Sequence, residues 1–102
     1  MKITFNNDTA KTFDVRFADY SYLRNGENNR TIRLSVDAQY IEAALKIVLA
    51  MIENGESVTD LYLIDNNGAV VYNHLKDTFA IDEVTERAED DRHQLDINLT
   101  KV

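Results

Sequence analysis

The stretch Thr31-Ile32-Arg33-Leu34-Ser35-Val36-Asp37, followed by Ala38 to Gly55, decides the fold. In its first half apolar and polar residues alternate. Ile32, Leu34 and Val36 fall on one face and Thr31, Arg33 and Ser35 on the other, which is the period of a half-buried strand. After Asp37 the period changes. Asp37 suits a helix N-cap, because its carboxylate can accept from the free N–H groups of a first turn. The helix is predicted over about Ala38 to Glu53, and Gly55 suits the left-handed position just past its end. Gln39, Glu42, Lys46 and Glu53 form one narrow polar stripe, with Glu42 and Lys46 in i,i+4 reach. Ile41, Ala44, Leu45, Ile47, Val48, Leu49, Met51 and Ile52 fill the rest, so most of the circumference must be buried. One sheet covers only one side. The other side calls for a curled sheet, a loop or a partner chain.

Towards the N-terminus, Lys2 to Phe5 reads as an edge strand. Thr12 to Phe17 alternates, with Phe13, Val15 and Phe17 facing one way. Tyr20, Tyr22 and Leu23 break the parity, which predicts a bulge or bend near Ala18-Asp19. Asn25 to Asn29 is a turn cluster, so residues 11–36 read as one long hairpin. Towards the C-terminus, Val58 to Ile64 reads as a strand buried on both faces, and Asn67-Gly68 is a strong hairpin signal before Ala69 to Tyr72. Phe79 to Ile81 opens a further strand, Leu95, Ile97 and Leu99 alternate in the last one, and Glu86 to Arg92 reads as a polar hairpin tip or short helical turn. The expected class is α+β in a single domain over residues 1–102. About six to seven strands in mostly antiparallel β-hairpins pack on one central apolar helix, in the order β-β-β-α-β-β-β-β.

Composition narrows the function. The 102 residues are 44% hydrophobic and 28% charged, as in a folded domain. No Cys is present, which excludes a disulfide framework, a thiolate zinc site and a Cys nucleophile. A net charge of −7 opposes direct nucleic-acid binding and attachment to an anionic membrane. The first seven residues carry no apolar h-region, so no signal peptide is expected, and Ile41 to Ile52 is too short and too charged to span a bilayer.

Chemistry-bearing motifs are sparse. The three Gly lie too far apart for a nucleotide loop, and Ser21, Ser35 and Ser57 lack a nucleophile-elbow bracket. His74 and His93 sit on different segments without the usual ligand spacing, and read as surface or rim histidines. Asp65-Asn66-Asn67-Gly68 resembles part of a calcium loop, but the ligand positions after the Gly do not follow and a hairpin turn fits better. No catalytic, metal or cofactor-binding residue is assigned, no cofactor is expected, and a non-enzymatic protein follows.

The most informative feature is acidic. Between Asp77 and Asp96 eight acids are opposed only by Arg87 and Arg92, which leaves −6 of the chain's −7 in a fifth of its length. Carboxylates strung along a hairpin would either discourage aggregation or dock a basic protein partner. Asp82, Glu83, Glu86, Glu89, Asp90 and Asp91 are the partner-binding candidates, with Tyr20 and Tyr22 as outward-facing anchors beside Arg24, Arg30 and Arg33. The run Asp60 to Tyr72, then Ile81-Asp82-Glu83-Val84, then Ile97 to Val102, resembles small tail- or baseplate-associated proteins of phages of Gram-positive bacteria. That resemblance implies a structural or assembly protein working by multimeric contact, in the bacterial host cytoplasm or on the virion. The over-apolar helix points the same way, towards a homo-oligomer or docking on neighbouring subunits. The alternative from the acidic hairpin is a small phage-encoded inhibitor that mimics nucleic acid and blocks a basic groove.

Overall fold

A computed structural model describes residues 1–19, 28–73, 75 and 77–102. It is α+β, with two antiparallel sheets and one α-helix. Strands β1 (Lys2–Phe5), β2 (Thr12–Asp14), β3 (Phe17–Asp19) and β4 (Asn29–Asp37) precede helix α1 (Ile41–Glu53). After it come β5 (Ser57–Val58), β6 (Leu61–Ile64), β7 (Val70–Asn73), β8 (Phe79–Glu89) and β9 (Arg92–Lys101). The four-stranded sheet runs β2-β1-β6-β7 and the five-stranded sheet β3-β4-β9-β8-β5. Nine strands thus stand among the described residues, more than the sequence suggests.

The surplus has a physical cause: two predicted strands each split between the sheets. Phe13 and Val15 are buried, but the chain breaks at Val15-Arg16 and Phe17, expected in the core, is 58% exposed. β2 pairs with β1, whereas β3 pairs with β4, Phe17 opposite Ser35. The predicted long hairpin therefore has one arm shared between two sheets. The change of parity falls at Arg16 rather than at Ala18-Asp19, and Arg16 N–H donates to the Ser35 carbonyl at 2.7 Å. Val58 to Ile64 breaks likewise at Thr59-Asp60, into β5 beside β8 and β6 beside β1. β1 is consequently an interior strand, not an edge, and Ile3, Thr4 and Phe5 are all buried.

Asn6 fastens the second break. Its backbone has φ 56°, a left-handed value that Asn tolerates better than most residues. Its side-chain oxygen accepts from Thr59 N–H at 2.8 Å and Asp60 N–H at 3.3 Å, and its amide donates to the Ser57 carbonyl at 2.9 Å. Asn6 N–H also donates to the Asp60 carbonyl at 2.8 Å. The backbone groups freed where β5 stops and β6 starts are thus satisfied by one residue.

The helix starts three residues later than predicted. Asp37 remains in β4; its carbonyl accepts from Tyr40 N–H at 2.9 Å, and its carboxylate pairs with Arg16 at 3.0 Å instead of capping. The end is as predicted. Gly55 has φ 66°, its N–H reaches the Ile52 carbonyl, and Glu56 N–H reaches that of Met51, which together close a Schellman cap. Ala44, Val48 and Met51 are fully inward. Ile41, Leu45, Ile47 and Ile52 pack partly against the core. Solvent takes a wider arc than the predicted stripe, since Ala43, Ala50 and Leu49 (51% exposed) join Glu42, Lys46 and Glu53. One core holds the sheets and helix together, centred on Phe5, Phe79, Ile3, Ile32, Leu34, Met51, Leu61, Leu95, Ile97 and Leu99.

The Asn67-Gly68 hairpin forms as read. Asp65 N–H and the Ala69 carbonyl bond at 2.9 Å, the Asp65 carboxylate accepts from Asn67 and Ala69 N–H, and Gly68 has φ 81°.

Asn6→Ala should destabilise the fold by about 2–4 kcal/mol, since it leaves several crossing groups unpaired. Urea unfolding checks this, and Asn6→Gly, which eases the positive φ, should recover only a small part. A second test is electrostatic. Lys11 pairs with Glu56 and with Asp8 (3.4 Å), and the hydrogen bond to Glu56 raises its pKa above the ordinary lysine value. The advantage of wild type over Lys11→Met should therefore hold up to about pH 10.4, and fade as pH climbs through the raised folded value. Thermal midpoints across that range measure it.

Candidate functional site

β8 and β9 form the longest hairpin, and β9 is the centre of its sheet, with β4 on its other side. The tip is shorter than the sequence suggests. β8 continues to Glu89, which stands opposite Arg92, and only Asp90-Asp91 turn the chain, Asp90 at φ 53°. Residues 86–89, expected in a loose polar tip, are strand, because each finds a partner in β9.

A bulge sets the faces. Ile81 pairs with Leu99 and Glu83 with Asn98, so Asp82 has no opposite residue. Before the bulge Phe79 and Ile81 face the core. After it the phase slips by one, and Val84 stands opposite Ile97, Glu86 opposite Leu95 and Ala88 opposite His93. Glu83, Thr85 and Arg87 go to the outer face, opposite Asn98, Asp96 and Gln94. Without the slip Glu83 and Thr85 would point at the core and Val84 at water.

Strand alternation and the turn disperse the predicted acidic cluster. Glu83 accepts from the Asn98 amide at 2.9 Å on the outer face, and Asn98 in turn accepts from the buried Thr31 hydroxyl at 2.9 Å. Glu86 lies on the other face, 3.0 Å from His93 Nδ1. Asp82 meets the Thr100 hydroxyl at the bulge. Asp90 and Asp91 occupy the turn, where the Asp91 carbonyl accepts from Ala38 N–H at 3.0 Å. Glu89 ends the strand. The six acids therefore share a segment but no single face. Tyr20, Tyr22, Arg24 and His74 lie outside the described residues. Arg33 stands on the outer face in a two-bond fork with Asp96, at 3.0 and 3.3 Å.

The structure brings forward a feature absent from the sequence reading. β5 covers β8 only at Phe79 and Ala80. From Asp82 to Glu89, β8 has β9 on one side and, among the described residues, no strand on the other. Half of the backbone N–H and C=O groups of that stretch consequently face outward, as on any sheet edge. Asp82, Glu83, Thr85, Glu86, Arg87 and Ala88 are all exposed. A shallow hollow of about 270 Å³ lies among Thr85, Glu86, Arg87, Gln94 and Asp96. The sequence signal for this strand was the move from odd to even apolar positions, Phe79 and Ile81 and then Val84. Nothing local marks that β5 stops after two residues.

Among the described residues no three His, Cys, Asp or Glu side chains are grouped to hold a metal ion, and no helix is long and apolar enough to cross a membrane. Against known families, curated proteins and solved structures, the chain has no match.

Deleting Asp82 should leave the fold intact, within about 1 kcal/mol, because the ladder closes with every other residue on its present face. Deleting Thr85 should cost more, because either the bulge closes, which sets Glu83 opposite Ile97 and turns Val84 outward, or every residue from Glu86 to Glu89 changes face. Unfolding midpoints of the two deletions test the assigned bulge.

Proposed function

We propose that the chain is a non-enzymatic protein–protein interaction module, of the structural or assembly kind suggested by its likeness to phage tail and baseplate proteins, acting in a bacterial host cytoplasm or on a virion. The observation that carries this reading is the open edge of β8 from Asp82 to Glu89. An uncovered strand can add a strand from another chain, with main-chain hydrogen bonds giving strength and alternate side chains giving selectivity. The bulge and the charges of Asp82, Glu83, Glu86 and Arg87 restrain indiscriminate pairing, so only a strand of matching charge is accepted. Leu49 on the helix and Phe17 on β3 add exposed apolar surface beyond the edge. Mimicry of nucleic acid draws less support, because that role needs carboxylates in one row and strand alternation puts Glu83 and Glu86, three residues apart, on opposite faces.

Proline in the edge tests the reading. In a strand the N–H groups of neighbouring residues point to opposite sides, so one of Thr85→Pro and Glu86→Pro removes only an outward donor. The variant that keeps the wild-type circular dichroism should lose the stoichiometric assembly that the wild-type chain forms when purified from its native host. Retention of the same assembly by that variant, or a wild-type chain that is alone and monomeric, overturns the reading.

A further inference from the structure

We propose that the edge of β8 pairs antiparallel with the same edge of a second copy, with Thr85 on the two-fold axis, so that two five-stranded sheets become one. The inference rests on the strand-addition reading and names its occupant. Antiparallel edges of identical sheets meet about an axis perpendicular to the sheet, which returns outer face to outer face. Residues opposite each other must then lie on the same face, and the axis must pass through a residue.

The charge pattern of the edge selects among the few possibilities. An axis at Glu83, Glu86 or Arg87 sets that residue against its own copy, like charge on like charge. An axis at Val84 keeps only residues 83–85 in regular register, because Asp82 is the bulge residue, and leaves Arg87 without an acidic partner. An axis at Ala88 leaves only three strand residues overlapping. Thr85 on the axis overlaps residues 83–87 in regular register and sets Thr85 against Thr85, a favourable cross-strand pair. In that register Glu83 meets Arg87 of the second copy, twice by symmetry. On the other face Val84 meets Glu86, and Asp82, held to Thr100 at the bulge, lies beyond the regular pairs, so no like charges stand directly opposed. Glu83 also accepts from Asn98, and Arg87 is engaged within its own chain. The register needs neither to be free, because a carboxylate has two oxygens and a guanidinium five donors. An edge that carries four acids and one arginine is otherwise poorly suited to meet itself. Only this placement makes it self-complementary.

The full chain has no Cys, which makes cross-linking register-specific. Sedimentation should give twice the 11.7 kDa monomer mass. Under oxidised glutathione, Thr85→Cys should form a disulfide-linked dimer. Glu83→Cys mixed with Arg87→Cys should cross-link, while either one alone should not. Glu83→Arg or Arg87→Glu should weaken the dimer by at least about tenfold, through like charges set opposite each other, and the double exchange should restore it. Circular dichroism of each variant separates loss of dimer from loss of fold. A dimer that shows neither the Cys pattern nor the charge rescue overturns this register while self-association stands. A wild-type monomer at every concentration, with a host protein bound in an edge-dependent way, overturns the pairing of copies while strand addition stands.

Discussion

The structure depends on two places where a strand leaves one sheet and enters the other. With a single α-helix of 13 residues among the described residues, a chain of this size cannot cover both faces of a flat sheet. It can enclose its apolar residues only by bending the sheet around them. Val15-Arg16 makes one corner and Thr59-Asp60 the other. At the second, Asn6 supplies both donor and acceptor to a backbone that would otherwise turn with its polar groups unpaired. Once both corners are in place, Phe5 and Leu61 from one sheet reach the same core as Ile32, Leu95 and Ile97 from the other.

Much of this was legible in the sequence where the signals are local. The alternation of Ile32, Leu34 and Val36, the helix with its Gly55 cap, and the Asn67-Gly68 turn each depend on residues a few positions apart, and each forms. What could not be read depends on distant partners. Phe17 keeps the phase of Phe13 and Val15, yet stands in water, because its strand pairs with β4 instead of β1. Asp37 has the chemistry of a cap, but Arg16 across the corner takes its carboxylate. Lys2 to Phe5 looks peripheral, and becomes interior only because β6 arrives from some 60 residues later to pair with it.

The acidic segment shows the same limit. Charge counted along the chain suggested one continuous acidic surface. The pleat of β8 and the Asp90-Asp91 turn distribute that charge over two faces and a turn, and several carboxylates gain neutral or basic neighbours. What is continuous is not the charge but the backbone edge beneath it, which no strand among the described residues covers. The candidates chosen by charge, Asp82, Glu83 and Glu86, lie on that edge. Thr85 and Arg87, which matter most to how it could meet another strand, carried no signal of their own.

The placement of β9 bears on the order in which the protein assembles. Arg92–Lys101 is synthesised after the other eight strands of the two sheets, yet it is the middle of its own. Until it emerges, β4 can form no ladder along the side that β9 will take, and β8 has no hairpin to close. The N-terminal four-stranded sheet can gather earlier, but with the apolar face of β4 only partly housed. A fold with such distant pairings reaches its native state slowly, and its early species expose unpaired strand. A nascent chain of this protein is thus most prone to misassociation just before residue 92 appears, a hazard that belongs to synthesis and ends when β9 is inserted.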